Sequence, residues 1–210
     1  MLEIKSYVLG PVQTNTYLVG DPDSGEAVIV DPAGDGELLI EEAKQKNWNI
    51  KAIWLTHAHF DHIGGVPIIM KRVQPAPVLA LHPLDMPLWN VQGGAVMFGM
   101  QIGALPAPTL SLEHGQVLSL GVYDFEVRHA PGHTPGHVMF YCESQAVVFS
   151  GDVVFNGSIG RTDLPGGDYR TLINSIQSQI LTLKDETRLL CGHGPETSVG
   201  QERMNNPFLS

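Results

Sequence analysis

Four side chains able to bind a divalent metal stand within six positions of one short segment. The segment from Thr56 to Gly65 reads T-H-A-H-F-D-H-I-G-G, and the four residues are His57, His59, Asp61 and His62. Imidazole nitrogens and carboxylate oxygens are ligands of hard-to-borderline divalent metals. From the composition, the pattern H-x-H-x-D-H is expected by chance at only about 0.001 places in the chain. The segment is therefore a candidate metal site rather than a solvated loop.

An apolar run before this segment predicts how its ligands are directed. Residues 50–55 are apolar and partly β-branched, which is typical of a strand. Side chains at positions i and i+2 of a strand or its extension point to the same side, so the first two histidines can bind one metal together. The aspartate and the third histidine come where the chain turns into a predicted helix over 63–73. They point elsewhere, which suggests a second metal.

Three further candidate ligands lie in short glycine-containing motifs. The motifs are P-G-H-T-P-G-H, S-G-D and C-G-H-G, each following an apolar strand, and the ligands are His133, Asp152 and His193. Strand ends can gather at one rim of a sheet-on-sheet structure, so we expect these three beside the first segment.

Other polar residues near these motifs have different predicted roles. A ligating histidine usually donates its free N–H to an oxygen, and the candidates for such orienting partners are Asp31, Thr56 and His137. The remaining histidines that we interpret as polar loop or strand residues are His82, His114 and His129. Cys191 is interpreted as a small buried hydrophobe.

Two similar series of strands and helices must position these residues. In the first half the pattern predicts strands over 3–9, 14–19, 27–31, 50–55 and 78–81 and helices over 37–46 and 63–73. In the second half it predicts strands over 117–120, 123–129, 137–142, 146–150 and 187–190 and a helix that Asp168 caps and that runs to about residue 183. Residues 83–110 form a long loop or a short helix with a linker. We therefore expect one domain over 1–210, with two facing sheets and helices outside.

Composition limits the possible partners. The net charge is −10, with 22 acidic residues against 12 Lys and Arg, so nucleic acid is excluded as an expected partner. No apolar run reaches the roughly 20 residues that span a bilayer, and no signal-peptide pattern opens the chain, so we expect no membrane association. The two cysteines indicate no disulfide framework, which favours a cytoplasmic protein. The oligomeric state stays open.

The motifs T-H-A-H-F-D-H, P-G-H-T-P-G-H, S-G-D and G-H-G, in this order, resemble those of the metallo-β-lactamase superfamily. Within it the chain is most similar to glyoxalase II, that is to hydroxyacylglutathione hydrolases, and to their short single-domain relatives. The stretches 150–163 and 202–208 carry this closer resemblance.

The resemblance implies an α/β fold, a four-layer αββα sandwich with two mixed β-sheets and a binuclear metal centre. Position by position, the first metal is expected to have the ligands His57, His59 and His133. The second is expected to have the ligands Asp61, His62 and His193, and Asp152 is expected to bridge the two metals. The expected cofactors are two divalent ions, zinc by default, with iron or manganese as alternatives. Asp61 and Asp152 are also the expected catalytic residues.

The expected reaction is hydrolysis of a thioester of a small thiol. Metal binding lowers the pKa of water to about 7, so a hydroxide bridging the two ions is the expected nucleophile. The absence of a G-x-S-x-G motif argues against a covalent acyl-enzyme. Glyoxalase II binds glutathione through basic residues of a C-terminal extension that is not found in this sequence. The resemblance therefore does not identify the thiol of the substrate. Asn156 and Arg161 are candidate substrate contacts, although Arg161 could instead pair with Asp163 in a turn.

Two other activities are compatible with the same motifs. A persulfide dioxygenase has a similar Gly-Arg-Thr-Asp stretch but uses a single iron, and its second site is normally incomplete. Since the residues of the second site are all present in the sequence, hydrolysis is favoured. A metallo-hydrolase acting on another ester or an amide is the further alternative. A β-lactamase is usually exported, and a nuclease of this superfamily is expected to be more basic.

Overall fold

Apolar runs of strand length form two six-stranded β-sheets, which a computed structural model describes for residues 1–209. The first sheet has its strands side by side in chain order: β1 (Glu3–Leu9), β2 (Thr14–Asp21), β3 (Glu26–Val30), β4 (Asn49–Trp54), β5 (Val78–Leu81) and β6 (Leu110–Ser111). The first three strands are antiparallel to one another, and β3 to β6 are parallel. The sheet is therefore mixed.

The second sheet and a small hairpin use the rest of the strands. In chain order these are β7 (Val117–Leu120), β8 (Tyr123–His129), β9 (Val138–Cys142), β10 (Val147–Gly151), β11 (Val154–Phe155), β12 (Ser158–Ile159), β13 (Arg188–Cys191) and β14 (Thr197–Ser198). The sheet order is β14-β13-β10-β9-β8-β7, with only β10 and β13 parallel to each other, and β11 with β12 forms the separate hairpin. This sheet is mixed as well.

Six α-helices accompany the sheets in the described residues 1–209. They are α1 (Gly36–Gln45), α2 (Phe60–Ile63), α3 (Val66–Arg72), α4 (Met86–Asn90), α5 (Tyr169–Ser175) and α6 (Val199–Asn205). None of the helices in this range is both long and apolar enough to cross a membrane.

Three clusters of apolar side chains pack the sheets and helices against one another. Between the two sheets, the Trp54 ring lies 5.0 Å from the ring of Phe125 and 5.4 Å from that of Phe140, measured between centroids. A second cluster packs the first sheet against α1 and α3, and a third packs the second sheet against α5. The layers therefore run helix, sheet, sheet, helix, and the predicted αββα sandwich is confirmed. The assignment of residues 1–210 to one domain stays a prediction, and Ser210 lies outside the described residues.

The predicted helix over 63–73 is wrong in its continuity. The structure has two short helices instead, α2 and α3, which meet at Gly64 and Gly65. A Cβ on Gly64 would lie 2.5 Å from the carbonyl oxygen of Ala33, and the N–H of Gly65 donates to the carbonyl of Pro32 at 2.7 Å. The backbone beneath the ligand-rich segment is thus packed too closely for a side chain at Gly64 and leaves little room for one at Gly65.

Two other predictions of local structure are refined. The Asp168 carboxylate caps α5 by accepting from the N–H of Thr171 at 2.7 Å, as predicted, but after Ser175 the helix continues as one π turn over Ile176–Ile180. In the loop predicted over 83–110, the structure has α4 and short 3₁₀ turns before β6. Gly93 and Gly94, both with positive φ, interrupt the second of these turns.

Candidate metal centre

All seven predicted ligands meet at one edge of the sandwich, where strands of both sheets end. The segment that follows β4 brings His57, His59, Asp61 and His62, and the second sheet brings the rest: His133 from the β8–β9 loop, Asp152 directly after β10, and His193 two residues after β13. Six of the seven side chains belong to two groups whose possible ligand atoms all lie within 4.8 Å of one another. The seventh, Asp152, lies between the groups.

The first group consists of His57, His59 and His133, and all three are buried. Nδ1 of His59 is 2.9 Å from Nε2 of His133. Nε2 of His57 is buried and has no hydrogen-bond partner. A buried nitrogen without a partner is unfavourable in a folded protein unless an ion or a water satisfies it. These three imidazoles therefore suit a single cation.

The second group consists of Asp61, His62 and His193. Oδ2 of Asp61 lies 3.2 Å from Nε2 of His193 and 3.6 Å from Nε2 of His62. Nε2 of His62 is a further buried nitrogen that has no hydrogen-bond partner. Two imidazoles and a carboxylate around one space form a mixed N/O ligand set.

Asp152 joins the two groups. Its Oδ2 lies 3.5 Å from Nε2 of His133, in the first group, and 3.5 Å from Nε2 of His193, in the second. Its Oδ1 lies 3.4 Å from Nε2 of His62 and makes no hydrogen bond although it is buried. The donor set thus fits two cations that share one carboxylate. The ligand roles themselves stay predictions.

Asp31 orients the candidate ligand His62 by accepting a hydrogen bond from the ring nitrogen that faces away from the site. Its Oδ2 accepts from Nδ1–H of His62 at 2.9 Å and from the Thr56 hydroxyl at 2.6 Å, and its Oδ1 accepts from the N–H of Thr56 at 2.7 Å. Asp31 lies close enough to His57 and His62 to form a third possible ligand group. Because its two oxygens already accept these bonds, an orienting role fits it better, with Nε2 of His62 turned toward the second group.

Two further contacts orient ligands from the second sheet. Nε2 of His137 accepts from the backbone N–H of Asp152 at 3.0 Å. Nδ1–H of His133 donates to the carbonyl of Arg161 at 2.8 Å, which leaves Nε2 of His133 facing the site. His137 therefore supports the turn that carries Asp152 instead of entering either ligand group. Its predicted role as a partner of a ligating histidine therefore stays a prediction, since its contact is with the backbone of Asp152.

A buried carboxylate that the sequence analysis did not single out connects the two ligand loops. Asp85 accepts from the N–H of Ala58 at 2.9 Å, from the Thr134 hydroxyl at 2.9 Å and from the N–H of Gly136 at 2.7 Å. Ala58 stands between two of the ligands of the first segment, and Thr134 directly follows His133. Asp85 follows no metal-type motif, so only its three-dimensional contacts identify it.

Strand β2 supplies a second set of supports that the sequence did not indicate. The Thr14 hydroxyl donates to Oδ2 of Asp61 at 3.1 Å. The Asn15 side chain donates to the carbonyls of Cys191 and Gly194 at 2.9 and 2.8 Å, and the Tyr17 hydroxyl donates to the Cys191 carbonyl at 2.6 Å. The first sheet thereby holds the loop of the second sheet that carries His193.

A cavity of about 350 Å³ opens above the two ligand groups. Ligands from both groups form its floor, and Arg161 lies at its wall, whereas Asn156 is exposed and is not among the lining residues. Arg161 makes the ion pair with Asp163 that was the alternative to substrate contact. Phe98, from the 83–110 segment, also lines the cavity.

The three histidines that were interpreted as loop or strand residues lie together, outside the lining of the cavity. The rings of His82 and His129 stack with centroids 4.3 Å apart, and the N–H of His129 donates to Nδ1 of His114 at 3.2 Å. Cys191 is fully buried, and burial raises the pKa of its thiol to about 12. A neutral, buried thiol is a poor nucleophile.

Comparison with known proteins agrees with this geometry. The family model of the metallo-β-lactamase superfamily matches residues 9–193, which include all seven candidate ligands. The chain belongs to this superfamily. Membership implies a hydrolase, and proteins of the superfamily typically bind divalent metals.

Three similar proteins cover almost the whole chain. Hydroxyacylglutathione hydrolase GloC of Haemophilus influenzae is 40% identical over 94% of this chain and 93% of its own. The crystal structure of BLEG-1 B3 metallo-β-lactamase is 42% identical, covers 99% of this chain and 100% of its own, and has a TM-score of 0.91. That of TTHA1623 in a di-iron-bound form is 42% identical, covers 98% and 100%, and has a TM-score of 0.88.

The electrostatics of the site suit a metal-binding member of the superfamily. Burial, together with the neighbouring imidazoles, holds the pKa of His57 well below its ordinary value, so the ring is neutral as a metal ligand must be. Burial acts to raise the pKa values of Asp61 and Asp152, but His62 and the other imidazoles outweigh it and lower both. The two carboxyl groups are therefore ionised and ready to bind cations.

Proposed function

We propose that the protein hydrolyses thioesters of a small thiol, in the manner of glyoxalase II, with two divalent cations held by the seven candidate ligands. The observation that carries the proposal is Asp152, whose two oxygens face both ligand groups on the floor of one cavity. The 40% identity to hydroxyacylglutathione hydrolase GloC over nearly both whole chains supports the same reaction. Zinc is the metal we propose, with iron and manganese as alternatives.

Bound cations would supply a water of pKa about 7 and stabilise the negative charge that develops on the substrate carbonyl. The chain's own residues do the rest. Asp152 spans the two groups, and its backbone N–H is held by His137. Asp61, oriented by the Thr14 hydroxyl, faces the cavity as an ionised carboxylate that can orient a water by accepting a hydrogen bond from it.

The leaving group and the nucleophile place different demands on the site. A thiolate is a stable leaving group near neutral pH, so a thioester needs no strong general acid for its departure. Cys191 is buried with a raised pKa, which excludes it as a covalent nucleophile. Direct attack by a water held between Asp61 and Asp152 is therefore the chemistry that fits.

Replacing the shared carboxylate tests the proposal. We expect Asp152→Ala to lower kcat/KM for a thioester by at least about 10²- to 10³-fold, the range seen when one charge-stabilising group is removed. Elemental analysis should show the metal content falling below two per chain. Asp124→Ala, at an exposed carboxylate on β8, is the control and should change neither value. Near-normal turnover of the Asp152→Ala protein would refute the binuclear mechanism.

A second candidate function is hydrolysis of a β-lactam amide. It is favoured by one observation, the likeness to BLEG-1 B3 metallo-β-lactamase at 42% identity and a TM-score of 0.91. The same metal-loaded preparation should be assayed with a thioester and with a β-lactam, and the ratio of the two kcat/KM values decides between them.

The mononuclear iron dioxygenase remains the alternative from another class of enzyme. The complete group Asp61, His62 and His193 argues against it, because that group gives the chain a second set of ligands. Two metals per chain with no oxygen uptake in the presence of a persulfide support the hydrolase. One iron per chain with persulfide-dependent oxygen uptake overturns it.

A further inference from the structure

The walls of the cavity above the ligand groups are apolar. Apart from the candidate ligands, Ser158 and Arg161, the lining consists of hydrophobic side chains from four separate segments: Val12, Phe60, Phe98, Phe155, Ile159 and Leu164. The rings of Phe60 and Phe98 pack with their centroids 5.0 Å apart. A site with such walls gains binding free energy from an apolar group that it removes from water.

The mouth of the cavity continues this apolar surface. The side chain of Phe98 is 43% exposed, and Val12 is 42% exposed. Both belong to loops that border the cavity, Val12 between β1 and β2 and Phe98 after the paired glycines of the 92–98 turn. Because both side chains line the cavity and also reach solvent, a ligand in the cavity can cover them.

The cation at the cavity wall is already paired. Within the described residues, Arg161 is the only Lys or Arg of the lining. Its Nε and Nη2 donate to Oδ1 and Oδ2 of Asp163 at 2.7 and 2.8 Å. This two-bond arrangement occupies the Nε/Nη2 edge of the guanidinium and places the Asp163 carboxylate beside it, where it competes with a substrate carboxylate. The chain's net charge of −10 further disfavours an anionic ligand.

We propose that the cavity selects thioesters that carry an uncharged apolar group, and that Asp163 is a specificity-determining residue against carboxylate-bearing thiols. The inference rests on the proposed thioester hydrolysis and defines its substrate class. The apolar group belongs either to the acyl chain or to the thiol. In both cases an apolar group packs against Phe98 and the other hydrophobic side chains of the cavity.

A series of neutral substrates tests the apolar preference and distinguishes the two sources. Acetyl and hexanoyl thioesters of N-acetylcysteamine differ by four methylenes on the acyl side, and S-benzyl thioacetate carries its apolar group on the thiol side. Each buried methylene is worth roughly a factor of four in kcat/KM, so a fully buried chain gives a preference on the order of 100-fold. A preference on either arm supports the proposal and identifies the side, and equal values on both arms overturn it.

Phe98 and its neighbour provide a matched pair of variants. Phe98→Ala should reduce the preference for the apolar substrate by about tenfold or more through KM, since the ring lines the cavity. Met97→Ala removes a side chain that is 67% exposed and outside the lining, and it should leave the preference unchanged. Equal effects of the two variants would contradict the assignment.

Asp163→Asn tests the specificity role by a gain of activity. Releasing Arg161 should raise kcat/KM for S-lactoylglutathione, relative to that for the hexanoyl substrate, by up to about fivefold, the upper value of one exposed ion pair. Glu37→Gln, which breaks an exposed ion pair with Arg72 on the outer helices, is the control. An unchanged ratio in Asp163→Asn overturns the role of Asp163.

The two levels of the proposal fail in different ways. If the metal-loaded protein cleaves none of these thioesters, the proposed function is wrong. If it cleaves them but prefers S-lactoylglutathione to every neutral apolar substrate, thioester hydrolysis stands and the substrate class is wrong.

Discussion

Replacing Asp85 by alanine is the sharpest test of how the site is held together. This buried carboxylate accepts three hydrogen bonds, from the backbone of Ala58, the hydroxyl of Thr134 and the backbone of Gly136. The first donor belongs to the segment after β4, and the other two belong to the β8–β9 loop. We therefore expect Asp85→Ala to separate His59 from His133, which flank this connection.

The expected magnitude follows from the donors left behind. The Thr134 hydroxyl can rotate to another partner, but the two backbone N–H groups are buried and cannot. Each buried donor without a partner costs about 1–3 kcal/mol, which gives a loss of about 4 kcal/mol. In a protein of this size that corresponds to a fall in Tm of about 8–16 °C. Burial raises the pKa of Asp85, which shows that its ionised form is partly desolvated. Removing the carboxylate recovers some of this desolvation energy, so the loss of stability stays below the sum of the two largest donor penalties.

Urea unfolding of the metal-free protein, followed by tryptophan fluorescence, measures this loss without a contribution from metal binding. Asp168→Ala is the matched control, because that carboxylate is exposed and caps α5 through a single N–H. We expect the control to lose about 1 kcal/mol. The reasoning is refuted if Asp85→Ala is destabilised no more than Asp168→Ala.

Two further predictions concern a support of the cavity wall and the pH dependence of stability. Glu202 accepts from the backbone N–H of Gly157 at 3.0 Å and so holds the β11–β12 hairpin, which lines the cavity. Glu202→Ala should therefore raise KM several-fold with kcat nearly unchanged. Glu202→Gln, which keeps an acceptor oxygen, should restore KM in the same steady-state assay. Burial, and to a smaller extent the neighbouring His129, lower the pKa of His82 from 6.5 to about 4. Between pH 6.5 and 4 the imidazole is therefore protonated in the unfolded chain but neutral in the folded one. The protein loses stability as the pH falls through this range. Since His82→Asn keeps an acceptor for Leu84 but does not titrate, its urea stability should depend less on pH from 6.5 to 4 than that of the parent protein, and parallel curves would contradict this.

The candidate ligands could be predicted because each stands in a local pattern. His133, Asp152 and His193 come after an apolar run and beside a glycine, and both features are visible within ten residues. The glycine of the last motif has a steric reason, since a Cβ on Gly192 would collide with Oδ1 of Asp152. The positions of the strands follow from the same apolar runs, and the structure keeps the predicted strands to within one or two residues.

The supports of the site could not be predicted in the same way. The three hydrogen-bond donors of Asp85 lie 27, 49 and 51 positions away in the sequence. A local sequence pattern therefore cannot include both the carboxylate and its donors. The break between α2 and α3 depends on the approach of Pro32 and Ala33, which belong to another loop. Helical periodicity over 63–73 is a local property, and the tertiary contact outweighs it.

The non-ligand positions of T-H-A-H explain why the segment is rigid enough to place two histidines. The residue before each histidine has its backbone N–H held by a buried carboxylate, Thr56 by Asp31 at 2.7 Å and Ala58 by Asp85 at 2.9 Å. Successive residues of an extended chain face opposite ways, so the backbone is fixed through alternate positions and the imidazoles between them stay directed at the site. Asp31 also accepts from His62, and the loop held by Asp85 also carries His133. Each carboxylate therefore couples the position of the first histidines to a ligand elsewhere in the site, and loss of either one should disturb more than one ligand.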